Sequence, residues 1–464
     1  MFQTIRNAWG VPELRKKLIF TIFALLVFRL GSAIPVPYID SQTLYLHLES
    51  QSGTILGLMN AMSGSAFSMA TVFALSIQPY INSSIIIQLL TVAIPALERM
   101  AKEGGEEGRK KIASITRYAT VAIALLQGFG YYTLIKSFNG GALIDNGNLP
   151  SWWIGIVIVL SFTAGSAFLM WLGEQITEFG VGNGISIILF AGIVSRVPNM
   201  VMDCVNGVGM WNALQEGAVT AESVMAANPS VYKTVEDAQA YLDRVALAPW
   251  MIPVIIIGML ALIVFIVFIS NAERRIPVQY AKRVVGRKMY GGQSTHIPMK
   301  VNMSGVMPII FAQAIASLPA TIGAFLGKNT DNSTMMRIFD TTKPFYSILY
   351  FLLIVGFSYF YASMTFNPVE VANNLKKNGG FIPGFRPGKP TADFIKKVLS
   401  KITMFGALYL SVIAIAPIIT GNIVGYGSLA IGGTSVIIVV GVALETVKQM
   451  EAQMMMRHYK GFLE

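Results

Sequence analysis

The sequence predicts an all-α integral membrane protein of ten transmembrane helices, and three observations carry that reading. Its 464 residues are 54% hydrophobic and 13% charged, with a mean hydropathy of +0.58, whereas soluble domains carry roughly 25% charged residues. Apolar runs of about 20 residues recur along the chain, each long enough to cross a hydrocarbon core of roughly 30 Å. Lys and Arg gather in particular connections between those runs, as orientation in a membrane requires.

The first apolar run, 18–36, follows Arg6, Arg15, Lys16 and Lys17. No clear small-residue cleavage site comes after it, so it reads as a retained span and not a signal peptide. Arg29 lies within it, about two turns from the expected outer end, placed to snorkel or to meet a neighbouring carbonyl. Residues 53–69, GTILGLMNAMSGSAFSM, are too short and too rich in Gly and Ser to span. They are also too apolar for an exterior loop, which predicts a re-entrant segment. The second span, 72–94, is interrupted by Gln78, Pro79, Asn82, Ser83, Ser84 and Gln88. Polar groups at that density face protein or water, and Pro79 predicts a break in the helix. Spans three to five follow at 117–136, 152–173 and 183–197. The fifth opens on Gly180, Gly182, Asn183 and Gly184, which resembles a phosphate-binding fingerprint. No strand precedes it and a membrane helix follows, so close helix packing or a sharp turn is the reading. The connection 198–249 is net acidic, and spans six to ten occupy 250–270, 304–326, 345–366, 401–419 and 431–449.

Basic residues lie in the N-terminal flank, in the second connection (Arg99, Lys102, Arg109, Lys110, Lys111, Arg117), between spans six and seven, and between spans eight and nine. All four fall on one side of the membrane, which puts both termini in the cytoplasm. The net charge of +11 is therefore mostly positive-inside topology and contact with anionic lipids. The two later loops are longer than a helix connection needs. The second sets Arg386 among Gly384, Pro387 and Gly388, a rigidly turned basic tip suited to a cytoplasmic partner.

The same inventory excludes several chemistries. One cysteine, Cys204, and three scattered histidines, His47, His296 and His458, give no disulfide framework and no metal site, so no metal or other cofactor is expected. The spans hold almost no Asp or Glu, which argues against a proton- or sodium-coupled carrier of small solutes, the second function considered. They hold no nucleophile and base pair and no HExxH, which argues against an intramembrane protease or any other catalysis. No glycine-rich loop ending in Lys and Ser or Thr is present, so energy for any work must come from a partner.

Four strings resemble the SecY/Sec61-alpha family: FALSIQPYINSSIIIQLL (73–90), GVGNGISIILFAGIV (180–194), QSTHIPMKVNMSGVMPIIFA (293–312) and GFIPGFRPGKPT (380–391). They occur in the family's order across the whole chain. The resemblance implies two pseudo-symmetric halves of inverted topology, 1–197 and 250–464, around a central pore, with 198–249 as an exterior hinge loop that is long for the family. It implies a gated protein-conducting channel in the bacterial cell membrane, which translocates unfolded secretory proteins and releases transmembrane segments sideways into lipid. The pore ring would be Ile77, Ile81, Ile185, Leu189, Ile310 and Ile438; the first two and the next two are four residues apart and share a helix face. The re-entrant segment would be the plug, with Leu56, Met59, Met62, Ser63, Gly64 and Phe67. A lateral gate between spans two and three and spans seven and eight would be faced by Asn82, Gln88 and Leu318. The loops 271–303 and 367–400 would dock the SecA ATPase or ribosomal RNA through a basic tip of Arg274, Arg275, Lys282 and Arg283 on the first and through Arg386 on the second. The other implied partners are SecE, SecG, signal-sequence-bearing polypeptides and lipid.

Overall fold

The computed structural model describes residues 2–49, 56, 59–60, 63–102, 104–137, 143, 150–227, 235–280, 283–285, 288–290, 294–303, 305–325, 343–424 and 427–460. The chain begins with α1 (Phe2–Gly10), α2 (Pro12–Gly31), α3 (Ser41–Glu49), α4 (Gln78–Ala93), α5 (Pro95–Lys102), α6 (Gly105–Ser137), α7 (Ser151–Phe179) and α8 (Gly184–Ser195). The run α9 (Val197–Gln215), α10 (Ala221–Ala227) and α11 (Val235–Val245) leads to α12 (Met251–Asn271). Strands β1 (Glu273–Tyr280), β2 (Arg283–Val285), β3 (Lys288–Tyr290) and β4 (Ser294–Lys300) precede α13 (Met307–Phe325), α14 (Pro344–Thr365) and α15 (Pro368–Lys377). β5 (Gly380–Phe381), α16 (Lys389–Val424) and α17 (Gly427–Lys460) complete the order.

Each of the ten expected spans falls on a helix. Judged by length and hydropathy among the described residues, six stretches qualify alone: Gly105–Ser137, Ser151–Phe179, Gly184–Gln215, Met251–Asn271, Pro344–Lys377 and Lys389–Thr420. The pair α4 and α5, bent by 105°, makes a seventh.

Two boundaries correct the sequence reading. Pro79 does not break a helix, because α4 starts at Gln78 and the proline sits in the first turn, where its missing N–H is not needed. The break lies at the other end: Ile94 is extended (φ −107°, ψ 113°) ahead of Pro95, as a residue before proline prefers. Likewise α2 ends at Gly31, so the exposed Arg29 lies in its last turn and not two turns in, where the positive charge suits the helix C-terminus.

The Gly180–Gly184 string is both a sharp turn and a close contact. Gly182 has φ +83°, Asn183 caps α8 by accepting from the Ile185 N–H at 3.1 Å, and a Cβ on Gly184 would fall 1.9 Å from the Gly173 carbonyl of α7. Glu174, also on α7, meets Arg117 of α6 in a two-point fork of 3.0 and 2.9 Å. A large apolar cluster draws on α2, α4, α7, α8, α12, α13, α14, α16 and α17. A second joins the residues around 36–75 to Tyr131, Leu134 and Ile135 of α6 and to Ile154, Ile158 and Phe162 of α7.

In the 198–249 connection, α10 and α11 close against α9 around Ala221, Ala238 and Leu242. Gly207 permits the return crossing, since a Cβ there would lie 2.8 Å from the Val245 carbonyl. Nearer the start, Asp40 precedes α3, its carboxylate accepting from the Gln42 N–H at 3.1 Å and from the Thr43 hydroxyl. The Thr43 hydrogen bond, the largest cause, holds its pKa below the ordinary 3.8. A lowered folded pKa makes the contribution complete above the unfolded value and lost as pH falls through the folded one. Asp40→Ala is therefore expected to speed hydrogen exchange in α3 by about fivefold at pH 7, the scale of a lost cap, and the difference between variant and parent should vanish below about pH 3.

The two basic connections do not remain separate turned loops. They share one three-stranded sheet in the order β4-β1-β5, with Gln279 opposite Phe381 and Tyr280 opposite Gly380. In the β1–β4 ladder Pro277 faces His296 and Pro298 faces Arg275. Both prolines thus occupy alternate pairs, which accommodates them only if those are the non-hydrogen-bonded ones. Ile276, Val278 and Met299 pack with Leu375, Ile382, Ile395 and Leu399 beneath the sheet.

Candidate functional site

All six expected ring residues fall in one apolar cluster. Ile77, Ile81, Leu189, Ile310 and Ile438 are buried, and Ile185 packs against them partly covered. They arrive from the start of α4, from α8, α13 and α17. Gly173 makes room, for a Cβ there would sit 3.3 Å from Ile77 Cδ1. Such a set has nothing to offer a hydrated ion, and a narrow apolar constriction resists water while accepting side chains of any kind.

Beside this cluster lies the 63–77 stretch. Leu56, Met59, Ser63 and Phe67 are buried; Met62 lies outside the described residues. Gly64 (φ +67°) abuts the end of α8, where a Cβ would come within 2.6 Å of Ser195 Oγ and 2.7 Å of the Gly192 carbonyl. Internal bonds hold the turn: Asn60 Oδ1 accepts from the Ser68 N–H at 3.0 Å, and Ser63 Oγ accepts from the Phe67 N–H at 3.0 Å. Val36 N–H donates to the Ala70 carbonyl and Val72 N–H to that of Ile34, tying the stretch to the chain that leaves α2.

A cleft of about 460 Å³, open mouth included, lies between α4, α6 and α13. Asn82 and Leu318, two of the three residues expected at a lateral gate, line it together with Met59, Gln127, Gln313 and Ser317. Gln88 does not; its amide donates to Ser84 Oγ at 3.4 Å, along its own helix. Gln127 and Gln313 were missed in the sequence, although the signal was the one used for span two: an amide side chain inside an apolar run.

The docking residues separate. Arg274 and Arg275 stand exposed at the root of β1, two and three positions past Ala272, the C-cap of α12, and not at a loop tip, because the strand runs on from them. Arg275 Nε donates to Glu273 Oε1 at 2.7 Å. Arg283 opens β2, and Lys282 lies outside the described residues. Arg386 is exposed between Gly384 (φ +87°) and Gly388 (φ +101°). Its turn is pinned by Thr391 Oγ1 donating to the Arg386 carbonyl at 2.8 Å and by Phe385 stacked on Phe394 at 4.2 Å.

The SecY family profile matches residues 71–447. The chain belongs to the SecY family. SecY relatives match along their whole length: the protein translocase subunit SecY of Bacillus subtilis is 42% identical over 466 residues and that of Streptomyces galbus 41% over 478, each covering 100% of both chains. Solved structures share the fold of this SecY-family chain at lower identity. A protein-conducting channel superposes with TM-score 0.59 at 18% identity over 97% of this chain and 96% of its own. Sec61 in a canine ribosome–channel complex gives 0.56 at 17% with the same coverage.

Proposed function

We infer that this chain is the channel subunit of a protein translocase, passing unfolded polypeptides through the Ile77–Ile438 collar and releasing apolar segments through the α4/α6–α13 cleft. The observation that carries the reading is the end-to-end similarity to SecY at 42% identity; the gathering of six aliphatic residues from four helices into one dry cluster supports the path. Segment 53–69 acts as the plug under the exterior side of that collar, and 1–197 and 250–464 act as two halves hinged through the 198–249 connection.

The chain lies in a bacterial cell membrane with both termini cytoplasmic, as the basic connections require. Its membrane partners are SecE and SecG. Supporting this, α12 is strongly apolar, and only 11% of its most apolar stretch is buried by the described chain, leaving apolar faces for lipid or a companion helix. SecA or a translating ribosome docks on the β4-β1-β5 platform and the Arg386 tip, where positive charge suits acidic surfaces and RNA phosphates.

The test is site-specific photo-crosslinking from position 81 in membranes holding a stalled precursor, with a position in the exterior α10 helix as control. A crosslink from 81 and none from α10 is expected. An intact stalled complex that stays silent at 81 would falsify the assigned path.

A further inference from the structure

Tyr131, Phe67 and Phe162 are among the largest side chains in the protein with no exposed surface, and they stack in sequence. Phe67 lies on Tyr131 with centroids 4.3 Å apart, and Tyr131 meets Phe162 of α7 at 5.0 Å. The Tyr131 hydroxyl donates to the Phe67 backbone carbonyl. That carbonyl belongs to the plug, and the hydroxyl to α6, a wall of the side cleft.

The backbone on the plug side needs holding. Ser65 in the plug has φ +70°, and Ala70 and Ser76, on the stretch that leads from it into α4, have φ +45° and +51°, a region disfavoured for residues with a Cβ and kept only where surrounding contacts fix it. Its internal bonds through Asn60 and Ser63 shape the turn without attaching it to α6. Tyr131 makes that attachment with both its ring and its hydroxyl. One turn earlier on the same face, Gln127 lines the cleft opposite α13, and the plug's own Met59 lines it too. The face of α6 that meets α13 is therefore continuous with the face that grips the plug.

We propose that Tyr131 is the latch through which the gate helix α6 holds the plug seated, so that displacement of α6 from α13 withdraws the hydroxyl from the Phe67 carbonyl and frees a strained segment. This rests on the plug and gate reading above. Tyr131 is a positioning residue: it touches the plug and not the passing polypeptide.

The experiment compares iodide leak through resting, fully assembled channels in proteoliposomes for the parent, Tyr131→Phe, a deletion of 57–67, and the two changes combined. Phenylalanine keeps the ring and its stacking, so amounts of assembled complex should match the parent. Loss of one buried hydrogen bond predicts a leak raised roughly five- to tenfold, and no further rise when Tyr131→Phe is added to the deletion. Export of a precursor with a defective signal sequence should rise in parallel. If the deletion leaks and Tyr131→Phe does not, the latch is wrong and the plug stands. If Tyr131→Phe adds its own leak on top of the deletion, the residue acts on packing elsewhere and the latch is again overturned. If the deletion itself does not leak, the plug reading fails and the latch falls with it.

Discussion

Gly165→Ala is expected to remove most of the assembled protein from the membrane. A Cβ at Gly165 would fall 1.9 Å from the Val72 carbonyl oxygen and 2.8 Å from its carbon, so the obstacle is backbone with no flexible side-chain end to give way. Val72 cannot retreat, because its N–H donates to the Ile34 carbonyl at 2.9 Å and Thr71 is bridged to Pro35. Overpacking a side chain costs about 1–3 kcal/mol, and a backbone obstacle lies at or beyond the top of that range. The monodisperse fraction of detergent-extracted protein measures it, with Gly258→Ala as control: nothing lies within 4 Å of a Cβ there, and in mid-helix alanine should help by about 0.5–1 kcal/mol. Equal yields for the two variants would contradict this account of the α7 contact.

Leu189→Asn should raise the resting ion leak by tenfold or more while signal-bearing precursors still pass. Leu189 is fully buried in the apolar cluster, and an amide there gives water a foothold in a constriction that seals by being dry. Packing loss alone must be separated from wetting. Ile188 is equally buried but lies about 100° round α8 from Leu189, off the face that Ile185 and Leu189 share. Ile188→Asn should therefore lower the yield without raising leak per channel. Iodide flux normalised to assembled protein reads both, and the same leak from both variants would remove Leu189 from the pore.

Most of the membrane architecture was legible because hydropathy and charge act residue by residue. Apolar runs located ten helices, and the Gly182–Gly184 string announced a tight turn. Boundaries were less legible where one proline has two meanings: Pro79 reads as a breaker until the helix is seen to start at Gln78, and Pro95 then carries the 105° bend. The aliphatic ring was not readable from periodicity at all, since Ile81 and Leu189 look like any core residue and only family resemblance singled them out. Arg274 and Arg275 misled as a tip because charge says which side of the membrane a residue takes and nothing about height above it. The pairing of β5 with β1 was beyond reach, since two strand residues a hundred positions away leave no periodic trace.

That short pairing also constrains how the face carrying the sheet bears force. β1 is rooted in α12, β4 leads back to α13, and β5 lies between α15 and α16, so one sheet clamps together segments carried by four helices of residues 251–424. A motor that pushes at the Arg386 turn loads β1 as well, and one that grips the β2–β3 hairpin loads β5. Torque is thus shared across a single stiff plate before it reaches the bilayer. Gly380 sets where the plate is riveted: a Cβ there would lie 2.9 Å from the Tyr280 ring and 3.3 Å from Leu375. Length can be added beyond the rivet, at either tip, without loosening it; inserted within the pairs Gln279–Phe381 and Tyr280–Gly380, it would turn one plate into two.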